Sequence, residues 1–106
     1  MEWDIDVKEK VYQRLANEIF FRILHGEYAL STKLPSYTNI AKEAGSSPET
    51  ARKAVQKLQY CGVVEKTRQG YFVVSDMTPI LTFRQQYLEA VEHDYLEAKE
   101  KVKLSN

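Results

Sequence analysis

A mainly α-helical fold carrying one small β-hairpin is predicted for this chain of 106 residues by three observations. Apolar residues recur at helical spacing over residues 7–24. Two further helical segments are separated by Gly45-Ser46-Ser47 alone. After Gly62 the pattern changes from the helical period to the two-residue period of strands. A chain of this length supports one modest core and is too short for two.

Each element follows from local signals. Val7, Val11, Leu15, Ile19 and Ile23 recur every four residues, with Tyr12, Phe20 and Leu24 beside them, which is the stripe of an amphipathic helix. Asp6 is placed as its cap and Gly26 as its end. The stretch EYALSTKLPS (27–36) lacks helical periodicity and reads as a connector that delivers Ser36 as N-cap of a second helix, Tyr37 to Ala44, stopped by Gly45. The third helix opens with Ser47 as N-cap, Pro48 at the first helical position and Glu49 near the positive end of the dipole. Ala51, Ala54, Val55 and Leu58 form its inward stripe, Gly62 stops it, and Glu49, Arg52, Lys53, Gln56 and Lys57 face outward.

VVEKTRQGYFVV (63–74) places two Val/Tyr/Phe-bearing runs around Arg68-Gln69-Gly70, a hairpin in which Gly70 supplies a positive-φ turn position. Helix, helix-turn-helix and hairpin in that order make a winged helix-turn-helix. Thr78-Pro79 is placed as the start of a last helix running to about Lys103, with Leu81, Leu88, Val91, Tyr95, Ala98 and Val102 at a/d-like spacing. The expected division is a winged-helix domain over 1–76 and a C-terminal helical dimerisation segment over 77–106. Folding of that stripe back onto the first helix is the alternative.

The formal net charge is zero, which by itself gives no reason to expect nucleic acid. Its distribution does: residues 31–74 hold seven Lys/Arg against three Asp/Glu, between two acidic flanks. Cys61 is the single cysteine, so no internal disulfide forms and a thiolate metal site lacks partners. The N-terminus has no basic and apolar leader pattern, and no apolar run reaches the ~18 residues of a membrane span. A soluble cytoplasmic protein without cofactor or membrane partner is expected. His25 and His93 are far apart, and neither has a nucleophile beside it, so catalysis is not expected.

The outward face of the third helix and the hairpin tip are the candidates for DNA contact. Arg52 lies one turn inside the helix, where a guanidinium reaches guanine O6 and N7 bidentately; the alternative is an exposed pair with Glu49. Ser36, Ser47 and Thr50 put hydroxyls at helix N-termini, where phosphate is favoured. Lys53, Lys57, Lys66 and Arg68 supply neutralising charge, and Arg68 with Gln69 at the tip suits a minor groove. Gln56 faces bases, and Tyr71 lies either on the DNA side or packed on the sheet.

Residues 11–74 resemble the DNA-binding domain of the GntR family of bacterial transcription regulators. The resemblance is carried by VYQRLANEIFFRILHGEYALSTKLPS, NIAKEAGSSPETARKAVQKLQYCGVV and RQGYFVV, several weak motifs in the right order and spacing. It implies a homodimer on a palindromic double-stranded operator, the third helix in the major groove, the wing tip at the minor groove, and repression. Ser47, Thr50 and Arg52 match the family's recognition positions and Gly70 its wing-tip glycine. Thr38 and Pro48 stand where the family has DNA-contacting arginines. The short segment after the wing is similar to the YtrA-like branch, whose helical tail dimerises. A tail of this size cannot by itself enclose a metabolite pocket of ~300 Å³, and no effector is assigned. The competing reading is a winged helix kept as a protein-interaction or assembly module.

Overall fold

A computed structural model describes residues 7–104, with side chains from residue 11 onward. Asp6 and Trp3 lie outside the described residues. The order is α1 (Val7–Leu24), α2 (Tyr37–Ala44), α3 (Pro48–Tyr60), β1 (Val64–Thr67), β2 (Gly70–Val73) and α4 (Met77–Lys101).

The core is assembled from all six elements. Ala16, Ile19, Phe20 and Ile23 of α1 meet Ile40 and Ala41 of α2, the four inward residues of α3, and Val64 and Val73 of the hairpin. Val11 and Leu24 are exposed, against the expectation of one stripe at every fourth residue. The reason is geometric: at 3.6 residues per turn, a strict four-residue step advances about 40° each time, so such a stripe winds around the helix. The buried set at 16, 19, 20 and 23 holds to one face.

Caps fix where the middle helices begin. Ser36 Oγ accepts the Asn39 N–H at 3.2 Å and Ser47 Oγ accepts the Thr50 N–H at 3.1 Å. Gly45 takes φ 67°, and the Ser46 N–H returns to the Ala41 carbonyl, so the chain turns sharply from α2 into α3. Arg22 fastens the far end of α1 to this unit, with Glu43 of α2 at 2.8 Å, Glu27 at 3.4 Å and Glu18 at 3.5 Å. Hydrogen bonding to Glu43 is the first cause that raises its guanidinium pKa above the ordinary value.

The hairpin is antiparallel, Val64 opposite Val73 and Thr67 opposite Gly70. The connector is more than a link. Lys33 bridges Phe72, the Leu34 N–H donates to the Tyr71 carbonyl at 2.8 Å and the Val73 N–H donates to Thr32 at 2.9 Å, which adds a short third rung to β2.

Helix α4 is capped by Asp76, whose Oδ1 accepts the Thr78 N–H at 2.9 Å; Thr78 is therefore the donor and not the cap. Pro79 is the third helical residue, still within the turn whose N–H groups lack helical partners. The helix ends at Lys101, two residues before the expected end. Its apolar residues divide between two faces. Ile80 and Phe83 are buried on the core, Phe83 with its ring 4.2 Å from that of Phe20, and Tyr87 meets Phe21 edge-on at 5.1 Å. Burying Ile80 and Phe83 contributes roughly 1.5–3 kcal/mol each. From Leu88 onward every described residue is exposed, and α4 projects, giving the molecule extents of 60 × 30 × 20 Å.

Candidate nucleic-acid interface

Arg52 lies on α3 with its side chain 38% exposed. Its guanidinium is bound by Glu49 one turn earlier, Nε to Oε2 at 3.0 Å with a second bond through Nη2. That hydrogen bond, then the carboxylate charge, hold its pKa above the ordinary value, with smaller contributions from Tyr37 and Tyr71. Arg52 is thus within electrostatic reach of the first residue of α2 and of the wing strand β2. The alternative of a Glu49 pair is the arrangement adopted in the free protein.

The serines that cap α2 and α3 carry exposed hydroxyls. Ser36 uses an oxygen lone pair for Asn39 and keeps its proton for an outside acceptor. Ser47 Oγ lies 2.9 Å from Thr50 Oγ1, so one proton joins the two hydroxyls and one remains to donate outward. Thr38, in the first turn of α2, is exposed and uncharged.

On the wing, Gln69 and Arg68 are exposed at the tip, fixed by the Gln69 N–H donating to Thr67 Oγ1 at 3.1 Å. Gly70 takes φ 126°, and a Cβ there would lie 2.9 Å from Cε of Lys33. The backbone conformation favours glycine, whereas the Lys33 side chain can swing aside. Lys66, opposite Tyr71 in the ladder, holds Nζ 5.9 Å from the phenol ring centroid, a cation–π distance. Tyr71 is half-buried and packs against the core, the second of its two expected positions.

Lys53, Gln56 and Lys57 form a second group. With Tyr12 of α1 they line an open depression of about 300 Å³. Ser36, Thr38, Ser47, Thr50, Arg52, Arg68, Gln69, Gly70 and Tyr71 lie on the α2, α3 and wing segments, and Lys53, Gln56 and Lys57 continue along α3 toward α1, Gln56 one turn after Arg52 on the same side of the helix.

Three residues not singled out from sequence join these groups: Lys33 beneath Gly70, Tyr37 beside Arg52, and Tyr12 beside the lysines. Lys33 had one legible signal, the β-prone Thr32 ahead of it in a segment with no helical period. Tyr12 and Tyr37 are placed by tertiary packing alone. The dimerisation candidates Leu81, Leu88, Val91, Tyr95, Ala98 and Val102 are all exposed on α4, well away from this interface in sequence.

Comparison with known proteins places the arrangement. The family described as "Bacterial regulatory proteins, gntR family" matches residues 8–74. The chain is 28% identical over 74 residues to the HTH-type transcriptional regulator YhcF of Bacillus subtilis (strain 168), covering 69% of this chain and 61% of that protein. It is similar in fold to a GntR family transcriptional regulator from Listeria monocytogenes, with TM-score 0.75, 18% identity, and 96% and 90% of the two chains covered. YtrA from Sulfolobus acidocaldarius, a GntR-family transcription factor, superposes with TM-score 0.59 at 24% identity, over 93% and 84% of the chains. BusR of S. agalactiae, in complex with its busAB-promotor DNA, has TM-score 0.65 at 27% identity, over 92% of this chain and 50% of that one. Among the described residues no helix is long and apolar enough to cross a membrane. The family match spans α1 to α3, the tight turn and the wing described above, and the chain, which spans less than two thirds of the length of YhcF, belongs to the GntR family of bacterial regulatory proteins.

Proposed function

We propose that this chain is a homodimeric repressor that binds a two-fold symmetric operator in the cytoplasm through residues 1–76 and dimerises through residues 77–106. The observation that carries the DNA half is Arg52, a cation in the first turns of α3 within the electrostatic reach of Tyr37 and Tyr71, on a unit whose two helix N-termini expose the Ser36 and Ser47 hydroxyls. Helix N-termini with free hydroxyl protons favour phosphate, and the wing offers Arg68 and Gln69 to a groove. The promoter DNA bound by BusR supports the same reading.

Arg52 exchanges Glu49 for guanine on docking, and Thr50 and Gln56 read the neighbouring bases. Lys53, Lys57 and Lys66 neutralise phosphate. The exposed α4 stripe supports the dimer half: Leu88, Val91 and Tyr95 are 49%, 46% and 64% exposed beyond the point where α1 covers the helix. Large apolar residues left uncovered along one helix face suit a second copy of that helix.

Filter binding titrated with salt tests the reading. An operator-binding domain loses affinity with a log–log slope of about 0.9 per phosphate neutralised. A protein-interaction module retains no measurable DNA binding at 50 mM salt.

A further inference from the structure

A cleft of about 310 Å³ lies where α4 leaves the body, bounded by α1, the end of α3 and the middle of α4. The tail alone encloses no such space, but three helices share it, and its size lies at the lower end of small-molecule pockets, roughly 300 Å³. Phe83 and Tyr87 form its apolar wall, and Asn17 and Gln86 contribute amides. Lys57 and Asp94 bring opposite charges. Phe83, Tyr87, Ala90 and Asp94 follow one another at steps of four, three and four, so the side of α4 that lines the cleft passes from the anchoring aromatic rings to an exposed carboxylate. Among the described residues neither Lys57 nor Asp94 enters an ion pair.

We propose that this cleft binds a small zwitterion of the α-amino-acid class, carboxylate on Lys57, ammonium on Asp94 and side chain over Phe83 and Tyr87, and that its binding weakens the grip on DNA. The second half rests on the operator reading. Lys57 lines both this cleft and the depression it shares with Tyr12, Lys53 and Gln56. One ammonium group that serves a ligand carboxylate is withdrawn from a phosphate, and the competition is reciprocal.

The test is a titration of the ¹⁵N-labelled full chain with each of the twenty L-amino acids, followed for any binder by its N-acetyl and methyl-ester forms. The side-chain amides of Asn17 and Gln86 should shift, and each blocked form should bind at least tenfold more weakly. The binder should lower affinity for DNA about tenfold. Asp94→Asn should abolish that effect while binding DNA as the unaltered protein does. If no amino acid moves these amides, the site is refuted, also where the same amides become protected as protein concentration rises, which assigns the cleft to a second copy. A binder that leaves DNA affinity unchanged refutes the link through Lys57. Should no DNA bind at all, the operator reading fails, and the amide shifts still decide the cleft.

Discussion

The ring of Phe83 lies 4.2 Å from that of Phe20, tilted by 42°, and this contact fastens α4 to the winged-helix core. Everything on α4 after Tyr87 is exposed. The helix thus has an anchoring part and a projecting part, and the two respond differently to substitution. Phe83→Ala should destabilise the fold by about 3–5 kcal/mol in urea denaturation, the range for removing a buried aromatic ring. Leu88→Glu with Val91→Glu should leave the folded monomer intact and, by sedimentation equilibrium, shift the protein from dimer to monomer. A double variant that unfolds while remaining dimeric contradicts the division.

Arg52 and Lys57 lie on different sides of α3, so their loss should differ in kind. Arg52→Ala should lose ~1–3 kcal/mol on a preferred site and much less on random DNA. Lys57→Ala should weaken both about equally and reduce the salt slope by ~1. Glu49→Gln, which removes a carboxylate from the interface and releases Arg52, should raise non-specific affinity. Equal losses on both DNAs for Arg52→Ala would make it a phosphate contact.

Gly70 combines φ 126° with the 2.9 Å approach of Lys33 Cε. Gly70→Ala should therefore destabilise the wing by about 1–3 kcal/mol, seen as faster amide exchange at Tyr71 and Val73. Adding Lys33→Ala clears the space and not the backbone strain, so it should recover only part of the loss. Full recovery would show that the φ value carries no cost.

The Asp76 carboxylate is held below its ordinary pKa, first by the Thr78 backbone N–H and then by the Thr78 side chain. A depressed folded-state pKa contributes stability above the unfolded-state value that is lost as pH falls through the folded one. Amide exchange at Thr78 should accordingly rise on acidification below about pH 4, and Asp76→Asn, which keeps an acceptor without a charge, should flatten that dependence. An unchanged acid profile in the variant would mean that another carboxylate sets it.

What was legible in the sequence was local. Ser36, Gly45, Ser47 and Pro48 act on backbone groups within a few residues, so residue type alone located α2, the turn and α3. Asp76 caps α4 by the same local rule, two residues ahead of the Thr78-Pro79 start that the sequence pattern predicts. The third rung at Lys33, the Arg22–Glu43 ion pair and the position of Tyr12 depend on partners 21 to 45 residues away, which local pattern does not encode. On α4, two adjacent faces carry apolar residues at heptad-like steps, Ile80-Phe83-Tyr87 and Leu81-Leu88-Val91-Tyr95. Periodicity finds both, but only the location of Phe20 and Phe21 decides which one is buried.

Selection of bound fragments from a random-sequence DNA pool, using the intact protein and the Leu88→Glu, Val91→Glu variant, tests the central claim most directly. The intact protein should enrich two-fold symmetric sites with half-site centres one helical turn, ~34–36 Å, or a multiple of it apart, and the variant should enrich single half-sites weakly. No enrichment by the intact protein, or enrichment of one asymmetric site by both proteins alike, would contradict a dimeric operator-binding regulator.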